Sequence, residues 1–135
     1  MIQRPEDSPL RVRSDLVARV DPDKCVSCGI CAGSCAPMGV GPTGRTGRDQ
    51  LTRVREFIHS SQHKPGDLMV VGCDRTAPQL SRTVAAAGAV FYPVDCAGSL
   101  HTSVIELLVR SGSRGVMVLA CPPRDCWNRE GPRWL

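Results

Sequence analysis

Leu68-Met69-Val70-Val71-Gly72-Cys73 is the first of three apolar runs that each lead into a cysteine. The second is Ala89-Val90-Phe91-Tyr92-Pro93-Val94-Asp95-Cys96, and the third is Val116-Met117-Val118-Leu119-Ala120-Cys121. Short β-branched runs without polar alternation are the pattern of strands buried on both faces of a parallel sheet. Between them, residues 78–87 predict a helix with Pro78 near its start and Gly88 closing it. Residues 99–111 predict a second helix, with Leu100, Val104, Leu107 and Leu108 along one face and Gly112 at its end. The order strand–helix–strand–helix–strand predicts an α/β fold: a small three-stranded parallel βαβαβ domain with right-handed crossovers. Pro93 lacks a ladder donor and marks the end of the second strand as a bulge or a sheet edge.

In an open parallel sheet, ligands bind beyond the carboxyl ends of the strands. Cys73, Cys96 and Cys121 all fall there, and Cys126 follows within Cys121-Pro122-Pro123-Arg124-Asp125-Cys126-Trp127. A lone cysteine would read as core filler. Three at equivalent strand ends with a fourth five residues on point to a metal site. The helices after Cys73 and Cys96 are expected to begin at this edge and direct N–H groups toward a negatively charged thiolate site. Arg75, Arg124 and Arg129 are near in sequence and would tend to raise a reduction potential. Four thiolates suit [2Fe–2S], [4Fe–4S] or zinc, and spacing alone does not choose among them. His101 is the only nearby histidine for a cysteine nucleophile; it falls in the first turn of its helix and reads as a surface residue, so no catalytic residue is assigned.

Upstream, Cys25-Val26-Ser27-Cys28-Gly29-Ile30-Cys31-Ala32-Gly33-Ser34-Cys35 has C-x2-C-x2-C-x3-C spacing. This is the ligand run of bacterial ferredoxins and points to a [4Fe–4S] cluster, whereas zinc sites favour two separated ligand pairs. The small and apolar residues between the thiols let a tight loop bring backbone N–H groups close to sulfide. In two-cluster ferredoxins the fourth cysteine serves the other cluster. Cys25, Cys28 and Cys31 are therefore expected to share a cluster, while Cys35 either closes it or serves another. Asp21-Pro22-Asp23-Lys24 is a turn into the run, and residues 16–20 are expected to form a short strand before it.

Residues 36–49, rich in Gly and Pro, mark a flexible joint, and no Gly-Lys-Ser/Thr closes them into a phosphate loop. Leu51, Val54, Phe57 and Ile58 have the spacing of an amphipathic helix over residues 49–61. His59 and His63 flank its end and suit the C-terminal dipole. The expected organisation is a ferredoxin-type module at 1–40, a Gly/Pro linker and amphipathic helix at 41–66, and an α/β iron–sulfur domain at 67–135.

Composition narrows the function classes. Only five of 135 residues are Phe, Tyr or Trp, so the core must come from aliphatic side chains, whereas cysteines number eight. Residues 1–20 are too charged for a secretory signal, and no apolar run approaches the ~18 residues of a membrane span. A cytoplasmic protein with no membrane span, its thiols reduced or metal-bound, is expected. The net charge of +4 is spread along the chain without an aromatic platform, which argues against nucleic acid. Each four-thiolate cluster would add about −2, so two would bring the total near zero.

From Val70 to Leu135 the chain resembles the hydrogenase iron–sulfur subunit family, typified by the delta subunit of methyl-viologen-reducing hydrogenase. The resemblance rests on Val71-Gly72-Cys73, Val94-Asp95-Cys96-Ala97-Gly98, the glycine-led strand from Arg114 to Cys121, the C-x4-C pair Cys121 and Cys126, and Glu130-Gly131. It implies a [2Fe–2S] cluster on Cys73, Cys96, Cys121 and Cys126. The implied role is single-electron relay between a hydrogenase or dehydrogenase subunit and the flavin-containing subunit of a heterodisulfide reductase-type complex. Three features depart from the family: no further cysteine lies between Asp74 and Gln79, Trp127 replaces the usual His or Tyr, and where members continue past the Glu-Gly with a basic tail the sequence reads Gly131-Pro132-Arg133-Trp134-Leu135. The N-terminal run resembles the second half of a two-cluster ferredoxin, which suggests a fragment or a split gene product. The competing expectation is a zinc- or cluster-binding redox-sensing regulatory module. A thiol oxidoreductase is disfavoured because the C-x-x-C pairs all lie inside the ferredoxin run.

Overall fold

A computed structural model describes residues 20–60, 62–122 and 126. The expected strand at 16–20 lies outside them except for Val20, as do Arg124 and Arg129. Strands β1 (Leu68–Cys73), β2 (Val90–Val94) and β3 (Gly115–Leu119) form a parallel sheet in the order β2-β1-β3. The chain is thus α/β, as its three apolar runs predict. β1 is central and buried through Met69–Cys73, paired with β2 by Val71↔Tyr92 and with β3 by Val71↔Val118. Pro93 lies exposed on β2, at the sheet edge, where its missing N–H costs no ladder bond.

Alternation along β1 separates two cores. Met69 and Val71 face a larger one with Val54, Tyr92, Val104 and Leu108, drawn from α2 (Gly47–His59) and α4 (Thr102–Arg110) as well as the sheet. Val70 faces a smaller one with Val84 of α3 (Ala77–Ala86) and Ala89, joined by Phe91 and Leu119. The helix leaving β1 and the helix leaving β2 therefore cover opposite faces. In such a sheet the chain reverses its winding between β1 and β3, and a crevice opens beyond their carboxyl ends. At Gly72 a Cβ would lie 3.0 Å from Phe91 Cε2, so glycine there lets the ring lie across the sheet.

α2 begins two residues earlier than its apolar spacing predicts. Thr46 and Asp49 form a reciprocal capping box, with Asp49 N–H donating to Thr46 Oγ1 at 3.2 Å and Thr46 N–H donating to Asp49 Oδ2 at 2.9 Å. The Thr46 Oγ1–H, which donates to Asp49 Oδ2 at 2.7 Å, and then the Thr46 N–H hold the Asp49 carboxyl below its ordinary range. Phe57 packs on Tyr92 with ring centroids 4.8 Å apart. His59 does end α2, but His63 is not a dipole partner: it is 7% exposed, and its Nε2 lies 2.8 Å from Ser113 Oγ, tying the segment before β1 to the turn before β3.

The Gly/Pro-rich segment, expected to be flexible, runs through hydrogen-bonded turns: Met38 N–H to Cys35 O at 2.7 Å and Arg45 N–H to Pro42 O at 2.9 Å. Arg48 N–H reaches back to Met38 O at 3.3 Å. A Cβ at Gly41 would lie 3.0 Å from Ala32 Cβ, which shows how closely this segment folds back. Among the described residues no helix is long and apolar enough to cross a membrane.

Candidate functional site

Of the strand-end thiols, Cys73 and Cys126 lie near enough to Cys121 to act on its charge, and Cys96 is not among them. Cys73 closes β1 and is 5% exposed, with Sγ 3.6 Å from Asp95 O. Cys121 lies two residues past β3. Burial, and then the two neighbouring sulfurs, push the Cys121 thiol up to about 11. Cys96 follows β2 and is 4% exposed. Opposed ionisation among packed thiols is what a bound cation reverses, because a metal stabilises the thiolates that repel one another in its absence. Cysteine sulfur is the donor type that zinc and iron–sulfur clusters take. Among the described residues, no group of three or more Cys, His, Asp or Glu side chains is already gathered into a ligand shell.

The exits from β1 and β2 differ from one another. After Cys73 it enters a 3-10 turn, Asp74–Thr76, which runs into α3, so a helical start does border the crevice. After Cys96 comes a 3-10 turn at Ala97–Ser99, then an extended Leu100, and α4 begins only at Thr102. The N-terminus of α4 is therefore set back from Cys96 and is not at the site. Ser99 holds the turn by donating both N–H, at 3.0 Å, and Oγ–H, at 2.8 Å, to Cys96 O.

The ferredoxin-type cysteines occupy a loop and a short helix, α1 (Ile30–Ser34). Lys24 and Cys25 N–H both donate to Asp21 O, at 3.2 and 3.0 Å, building the expected turn into the run. Ser27 and Gly29 take left-handed backbone, φ 52° and 79°, which coils the chain between successive cysteines. Cys25 and Cys31 are exposed, and Cys28 and Cys35 half-buried. α1 rests on the 3-10 turn after Cys96. A Cβ at Gly33 would lie 3.0 Å from the Ser99 carbonyl, and one at Gly29 3.2 Å from Ser99 Cβ. The two cysteine-bearing loops are thus neighbours in space.

Gln50, which sequence reasoning passed over, and His101, which it read as a surface residue, join them. Gln50 of α2 donates from Nε2 to Ser99 O and accepts from His101 N–H, both at 2.9 Å. His101 is not a surface residue: it is 5% exposed, and its Nδ1 accepts from Ser103 N–H at 3.2 Å as the N-cap of α4. With Nδ1 accepting, the ring proton sits on Nε2, which donates to Cys35 O at 3.2 Å. The apolar spacing predicts a helix from residue 99, whereas α4 starts at Thr102 because residues 97–99 form a 3-10 turn and His101 is the N-cap. Nothing in the spacing of Gln50 marks its role.

Fold and thiols together define a class: a small parallel α/β domain bearing cysteines beyond its strand ends, with the four-cysteine loop Cys25–Cys35 packed beside it. Residues 69–134 match the family model described as FlpD, the delta subunit of methyl-viologen-reducing hydrogenase, and this part of the chain is a domain of that family. Neither curated proteins nor solved structures gave a match.

Proposed function

We propose that the chain is an iron–sulfur electron-transfer subunit of a hydrogenase-type oxidoreductase complex. In this reading it relays single electrons between a hydrogenase or dehydrogenase subunit and a heterodisulfide reductase-type flavin subunit. The observation that carries the proposal is the match of residues 69–134 to a hydrogenase subunit family, with Cys73 closing the central strand of that domain and Cys121 following its neighbour β3. Cys73, Cys96, Cys121 and Cys126 would hold a [2Fe–2S] cluster, and Cys25, Cys28, Cys31 and Cys35 a [4Fe–4S] cluster. When bound, these groups supply one-electron chemistry.

The chain's own part is to hold, shield and expose. Cys73 and Cys96 are themselves shielded from water. Exposed Cys25, Cys31 and Val26 leave an edge of the other loop open for a partner to cover. Anaerobic reconstitution tests the proposal. Iron and acid-labile sulfide should appear in equal amounts, and Cys121→Ser should lose one cluster while keeping the other. Zinc without labile sulfide would overturn the proposal in favour of a zinc-binding redox sensor.

A further inference from the structure

His101 belongs to neither cysteine set, yet its ring is buried between them. Its backbone lies five residues beyond Cys96, and its Nε2–H donates to the carbonyl of Cys35 at 3.2 Å. That carbonyl already accepts from Met38 N–H at 2.7 Å, so it is held from two directions. The other end of the ring is fixed as well, with Nδ1 3.2 Å from Ser103 N. Gln50 clamps the same segment through Ser99 O and His101 N–H. The ring is further confined on α2, where a Cβ on Gly47 would lie 3.0 Å from His101 Cδ2. A side chain so enclosed and so fully bonded holds one geometry.

We propose that His101 is a positioning residue that locks the peptide of Cys35 to the loop following Cys96, making the two cysteine sites one rigid unit. Its consequence for electron transfer rests on the reading of both cysteine sets as cluster ligands. Tunnelling falls steeply with distance, so a fixed spacing between the sites fixes the rate of passage between them. The mechanical lock itself needs no metal, and it can fail or hold independently of that reading.

Two roles of His101 can be separated. His101→Asn keeps an N-cap acceptor for Ser103 N–H but is too short to reach Cys35. His101→Gln extends an amide N–H toward the Cys35 carbonyl. In the metal-free, reduced, full-length protein, iodoacetamide labelling followed by mass spectrometry reads the opening of each cysteine. Losing one hydrogen bond of ordinary net strength should speed labelling of Cys35 in His101→Asn about fivefold, with Cys73 and Cys96 unchanged. His101→Gln should bring the rate back toward the wild type. Gln50→Met, which removes the clamp from α2 and leaves the cap intact, should also speed Cys35. A wild-type rate at Cys35 in both His101→Asn and Gln50→Met would overturn the proposal. So would an equal rise at Cys35, Cys73 and Cys96, which indicates general loosening. Failure of the protein to take up iron, with the labelling pattern as expected, would remove the electron-transfer reading and leave the lock standing.

Discussion

Replacing Gly33 with alanine tests whether the ferredoxin-type loop is seated on the α/β domain. The new Cβ would lie 3.0 Å from both the carbonyl carbon and oxygen of Ser99, and 3.1 Å from Leu100 O. These are backbone atoms in a turn held by Ser99 to Cys96 O and by Gln50 to Ser99 O, so they cannot retreat cheaply. Overpacking of this kind costs about 1–3 kcal/mol. Alanine's better helix propensity returns at most about 1 kcal/mol, and α1 has only five residues over which to express it. The expected net loss is about 1–2 kcal/mol. Gly39→Ala is the control, because no heavy atom lies within 4 Å of its Cβ position. Urea unfolding of the metal-free protein, followed by circular dichroism, measures both. Equal stability for the two variants would refute the packing of α1 on the turn after Cys96.

Two further outcomes follow from burial and charge. Leu108 is fully buried between α4 and the sheet, so Leu108→Ala should cost about 2–5 kcal/mol in the same unfolding experiment. Cys121, held protonated up to about 11 against an ordinary value of 9.0, should alkylate more slowly than exposed Cys25 in the metal-free protein. Its rate should still be climbing at about pH 10. The sign for stability follows from the raised value: the folded state holds an extra proton between 9.0 and about 11, so this group's contribution is complete below that window and is lost as pH rises through it.

Much of the fold was legible because its elements obey local rules. The runs ending at Cys73, Cys96 and Cys121 read as strands from composition, the first of them as the buried one that it is, and Pro93 marked an edge. Strand order was not legible, since the 2-1-3 arrangement depends on which faces α3 and α4 cover, and both helices have an apolar side. It is this order that puts Cys73 and Cys121 together at the winding reversal. The Gly/Pro content of residues 36–49 suggested freedom, but glycine also permits close approach, as Gly41 against Ala32 and Gly47 against His101 show. The burial of His101 and His63 escaped notice because each is satisfied by a partner 50 or more residues away, at Cys35 and Ser113. Such long-range polar contacts leave no periodicity to read.

Low-temperature electron paramagnetic resonance of the anaerobically reconstituted, reduced chain tests the central claim most directly. The claim is that two cysteine sites, packed together in one folded body, each hold an iron–sulfur cluster. The expected result is two paramagnetic centres whose lines broaden one another. In Cys121→Ser one centre should vanish and the other should narrow. A single centre indifferent to Cys121→Ser, or two centres without mutual broadening, would contradict it.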